Sequence, residues 1–99
     1  MVGVSVTTDY TATHLAFRDV GEAHGLHPTA VRVVLALDEH DFHETVTGLG
    51  RRLGLHDTAV HRALRELRAA GAVDGRDDLT ELGRDIARDV VDAERGARG

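Results

Sequence analysis

Apolar residues recur at helical spacing along most of the chain, and glycines mark where each run stops. Asp9 is placed to cap a first helix over about residues 10–23, with Tyr10, Ala16, Phe17 and Val20 giving it an apolar side and Gly25 ending it. Pro28 then opens a second helix at the position where a missing N–H costs nothing. Val31, Val34, Leu35 and Asp38 lie on one side of that helix and Val33 and Leu37 on another. A helix apolar on two sides belongs in the middle of a core. It is expected to end near His40, and residues 41–46 form a connection. Thr47 is the expected N-cap of a short third helix, with Val46 as a staple outside it and Leu49 and Leu53 on its inner face. Gly54 stops that helix, Leu55 points back inward, and His56 or Asp57 caps a longer fourth helix. Val60, Leu64 and Leu67 form the inner stripe of that fourth helix, and Gly71 ends it. Residues 72–80 read as a very short β-hairpin around Gly75. Thr80 caps a last helix carrying Leu82, Ile86 and Val90, with Val91 beside them. The expected organisation is a flexible arm over residues 1–8, one domain over 9–93, and a polar, glycine-bearing flexible tail over 94–99.

Composition narrows the fold. Of the 99 residues 41% are hydrophobic but only 3% aromatic, so the core is built from Leu, Val, Ala and Ile, which favours short packed helices. The expected class is mainly α with a short β-hairpin. Without cysteine there is neither a disulfide nor a thiolate metal site. No apolar run approaches ~20 residues, and no basic region followed by an apolar core opens the chain, so neither a membrane span nor a signal peptide is expected and the cytoplasm is the default location.

The fourth helix changes the picture again. Opposite its apolar stripe it carries His61, Arg62, Arg65 and Arg68. The net charge of −5 argues against a nucleic-acid partner, but its distribution matters more than its sum. Residues 1–42 hold two arginines against six acids, and residues 77–99 hold four against seven. Residues 43–76 hold six arginines against four acids, the only net-positive segment. A short helix crossing a longer, arginine-faced one is the geometry that enters the DNA major groove.

Three stretches carry a family likeness: Val46-Thr47-Gly48-Leu49-Gly50-Arg51-Arg52-Leu53-Gly54-Leu55, Leu64-Arg65-Glu66-Leu67-Arg68-Ala69-Ala70-Gly71-Ala72-Val73, and Leu79-Thr80-Glu81-Leu82-Gly83-Arg84. Their succession resembles the winged helix-turn-helix regulators of the MarR type, from about His27 to Val91. The resemblance implies a bacterial transcription regulator that binds double-stranded DNA and needs no cofactor. It places His56, Asp57, Thr58, His61, Arg62 and Arg65 toward the major groove. Arg62 is the candidate for reading guanine through a bidentate pair, and Thr47, Arg51 and Arg52 for holding phosphates. Two departures stand out. The wing is short and holds only Arg76 among Asp74, Asp77 and Asp78, and the chain is shorter than typical family members, which dimerise through long terminal helices.

Each of these readings has a plainer competitor. The arginines of the fourth helix are read as DNA contacts over a merely solvated face. Phe17, Val20, Leu82, Ile86 and Val90 are read as a homodimer surface, against the alternative that they pack only on their own core. His24-x-x-His27 and His40-x-x-His43 have spacings seen in metal sites, but both pairs fall at helix ends, and no metal is expected. No glycine-rich phosphate loop follows a strand and no Ser has a convincing base, so catalysis is not expected. A small-molecule effector stays open. The alternative function is a winged helix turned protein-interaction adaptor, favoured by the acidic wing and the overall negative charge.

Overall fold

The structure is a computed structural model, and it describes residues 15–39 and 45–98. Helix α1 includes residues 15–24; α2 is Pro28–Glu39, α3 Val46–Leu53, α4 Asp57–Ala70 and α5 Glu81–Arg98. The expected arm at residues 1–8, the Asp9 cap, Tyr10, and the His40 and His43 pair lie outside the described residues.

Helix α2 is the centre. Ala30, Val31, Val33, Val34 and Ala36 are all buried, so it is covered on two sides as its pattern requires. It packs against α3, α4 and α5, while α3 packs against α4. Val60, Ala63, Leu64 and Leu67 bring α4 onto it. Ile86, Ala87 and Val90 bring α5, and Ala16 and Val20 add α1. The largest fully buried side chains are Leu67, Ile86 and five valines, so β-branched and leucine packing does the work that aromatics do elsewhere.

Two expectations are corrected. The N-cap of α3 is Thr45, not Thr47: its hydroxyl accepts from the Gly48 N–H at 2.9 Å, and the helix already includes Val46. Both threonines are cap-forming types, and the one whose third successor is Gly48 reaches a free amide. The β-hairpin reduces to one antiparallel bridge, Val73 with Leu79, and no strand occurs among the described residues. Its tip is closed by Asp74, whose carboxylate accepts from the amides of Arg76 at 2.8 Å and Asp78 at 3.1 Å. Asp77 adopts a left-handed φ of 62°. A turn closed that early leaves no length for a ladder. Helix α5 runs on through Arg98. Ala93 still packs on the core, and extending a formed helix is far easier than starting one.

Candidate nucleic-acid interface

The helix pair is held at fixed geometry by close backbone approach. A Cβ on Gly50 of α3 would sit 2.6 Å from the Leu55 carbonyl oxygen and 3.3 Å from Val60 Cγ2. Only glycine lets α3, the turn and α4 meet there. Gly54 takes the left-handed conformation (φ 71°) that ends α3, and its N–H bonds back to the Gly50 carbonyl. Arg32 of α2 donates to the Leu53 carbonyl at 2.7 Å, fastening the last turn of α3 to the central helix.

With its Val60–Leu67 stripe buried, α4 turns the opposite side outward. At 100° per residue, Thr58, Arg62 and Arg65 fall opposite that stripe and His61 lies on the flank. All four are exposed. His56 is exposed at the N-cap position, where its side chain makes no cap bond, and Asp57 is the first helical residue. Arg51 and Arg52 are exposed in the last turn of α3, a favoured place for cations. Arg76 is exposed at the tip of the turn between α4 and α5. Thr47, displaced from capping, is exposed and donates its hydroxyl to Asp57 Oδ2 at 3.1 Å. Of the expected residues, the structure joins Thr47 of α3 to Asp57 of α4 and leaves the others exposed.

Contacts between distant residues add what spacing did not reveal. Arg68 pairs with Asp77, tying α4 to the turn that follows it. Glu66 accepts from the His27 amide at 2.6 Å, so this acid of α4 is committed to the start of α2. A shallow groove runs between those two elements, floored by Ala30 and Ala63 and bordered by Arg62 and Glu66. No periodicity points to pairs that the fold, rather than the local sequence, brings together.

The candidate dimer residues divide. Val20, Ile86 and Val90 are at most 5% exposed in the single chain, so they are core residues rather than free surface. An apolar stripe looks the same whether a neighbouring helix or a second chain covers it. Phe17 is half-buried against the core, and Leu82 is 39% exposed. Leu15 and Val91, at 38% and 39%, are the other large apolar side chains left open among the described residues. Of the histidines, His24 bonds Asp89 of α5 at 2.9 Å, and His27 Nδ1 accepts from the Thr29 amide at 3.1 Å. Among the described residues no three His, Cys, Asp or Glu side chains are grouped to hold a metal, and no helix is long and apolar enough to cross a membrane.

Compared with known proteins, residues 24–80 match the family model described as the MarR family, which covers α2, α3, α4 and the turn up to α5. No curated protein and no solved structure gives a significant match.

Proposed function

The chain belongs to the MarR family of winged-helix transcription regulators, whose members are not enzymes, and we propose that it acts as a sequence-specific regulator that binds double-stranded DNA as a homodimer. The observation that carries this reading is the outward stripe of Thr58, Arg62 and Arg65 on α4, opposite a fully buried apolar stripe. A helix built that way presents donors to base edges while its own hydrophobic demand is already met. Arg62 reads a guanine, Arg65 and His61 contact a base edge or a phosphate beside it, and Arg51 and Arg52 hold the DNA backbone. Arg76, alone on a short turn, adds one contact where a longer wing would add several.

Dimerisation follows from economy of charge. One such helix binds weakly, and a two-fold pair reaches successive major grooves ~34 Å apart. Among the described residues, Leu15, Leu82 and Val91 are the large apolar side chains available for a partner to cover.

A competing reading, a protein-interaction adaptor, draws support from the net charge of −5. Duplex binding at two salt concentrations separates the two. A regulator binds at low salt and weakens steeply between about 50 and about 200 mM, because each phosphate contact releases counterions. An adaptor shows little binding at either. Replacing Arg62 and Arg65 together by alanine abolishes the binding in the first case. Unchanged affinity in that variant would mean that α4 does not face the DNA.

A further inference from the structure

Thr47 and Asp57 stand on different helices and are joined by the hydroxyl-to-carboxylate bond at 3.1 Å. Neither side chain caps its helix: Thr45 caps α3, and the Asp57 carboxylate, in the first turn of α4, bonds only Thr47 among the described residues. Both are exposed, and among the described residues Thr47 is the only hydrogen-bond partner of the Asp57 side chain. An ionised carboxylate only accepts hydrogen bonds, and it has two oxygens. Thr47 engages Oδ2, and Oδ1, with no hydrogen-bond partner among the described residues, is left as an acceptor in the first turn of α4.

We propose that Asp57 is a specificity-determining residue that accepts a hydrogen bond from the N4 amino group of a cytosine, and that Thr47 is the positioning residue that aims it. This rests on the reading of α4 as the major-groove helix. The choice of base follows from what each edge presents. Guanine offers N7 and O6, both acceptors, and thymine offers the O4 acceptor, so a carboxylate is repelled by both. Adenine sets an acceptor, N7, beside its N6 donor, whereas cytosine offers a donor with no acceptor next to it. The pair also accounts for an acid at the head of the arginine-bearing helix. Near phosphates a carboxylate weakens binding to any sequence, and it recovers that loss only where a cytosine meets it, so it discriminates by rejecting the wrong sites.

The test is selection of sites from a random duplex pool by the full chain and by the variants Asp57→Ala, Asp57→Asn, Thr47→Val and Thr47→Ser, each checked for an unaltered thermal melt. The wild type is expected to enrich cytosine at one position of the site, or one per half-site, by about tenfold over other bases, within the range of a good base contact. Asp57→Ala loses the preference at that position and keeps the rest of the site. Asp57→Asn moves it toward adenine, since an amide matches the N6 and N7 pattern. Thr47→Val blunts it, and Thr47→Ser, which retains the hydroxyl, restores it. If wild type and both Asp57 variants select the same site, or if no cytosine position depends on Asp57, the assignment is overturned while DNA binding stands. If the wild type enriches no sequence at all, the DNA reading itself fails and takes this assignment with it.

Discussion

Helices α4 and α5 are both amphipathic, both carry several arginines, and both bury an apolar stripe against α2, yet their outer faces differ in kind. On α5 the arginines alternate with acids: Arg88 approaches Asp85 at 3.6 Å, and Asp89 is bonded to His24 at 2.9 Å. On α4 the two acids are already engaged, Asp57 by Thr47 and Glu66 by the amide of His27. Arg62 and Arg65 then have no ion-pair partner among the described residues. A solvated face on which five acids stand among four arginines has little to offer a polyanion. A face with only two acids beside its arginines, one of them (Glu66) held by a backbone amide, keeps its donors available. Amphipathicity is shared by the two helices; how their acids are used separates a packing element from a candidate recognition element.

The contrast can be broken or sharpened by mutation. The largest effect is expected for Arg62→Ala with Arg65→Ala, about 2–6 kcal/mol of DNA affinity if each contact is worth about 1–3 kcal/mol. The matched pair on α5, Arg84→Ala with Arg88→Ala, is expected to change affinity by less than about 1 kcal/mol, as exposed charges distant from the DNA do. Competitive duplex binding measures both. On the buried side of α5, Ile86→Ala should destabilise the fold by about 2–5 kcal/mol in denaturant unfolding, because Ile86 is only 1% exposed in the single chain. If Ile86 were free surface awaiting a partner, the loss would be within about 0.5 kcal/mol and would depend on protein concentration. Gly50→Ala should cost about 1–3 kcal/mol by forcing α3 away from the Leu55 carbonyl, with DNA affinity falling alongside. Smallest is the cap contrast. Thr45→Ala is expected to cost about 1 kcal/mol, and Thr47→Ala, whose hydroxyl caps nothing, less than about 0.5 kcal/mol, both read from thermal melts.

Much of this architecture is legible along the chain, and the reasons are local. The spacing of Val60, Leu64 and Leu67, the small residue at Gly50 and the stop at Gly54 define the helix pair because each acts within a turn or two of itself. The double apolar face of α2 identifies the central helix for the same reason. Where two residues compete locally, the pattern errs by a small step: Thr45 takes the cap from Thr47 because Gly48, not a later amide, lies within reach. The turn after α4 stays short of a hairpin, its tip closed by the Asp74 side chain on the amides of Arg76 and Asp78. Least legible are the contacts that depend on the finished fold, such as Arg68 with Asp77, His24 with Asp89 and Thr47 with Asp57. The same limit explains why Val20, Ile86 and Val90 read as a dimer surface. A buried stripe records that something covers it, not which chain supplies the cover.

The most direct measurement is the salt dependence of duplex affinity for the wild type, the α4 double variant and the α5 double variant. The slope of log affinity against log salt falls by about 0.9 for each phosphate contact removed, so it counts the contacts that each helix makes. If α4 is the DNA-facing helix, its double variant binds far more weakly, with a slope no steeper than that of the wild type and shallower wherever Arg62 or Arg65 touches a phosphate. The α5 variant keeps both the affinity and the slope of the wild type. Equal behaviour of the two variants, or a wild type whose affinity ignores salt, would contradict the assignment of α4 as the surface that meets DNA.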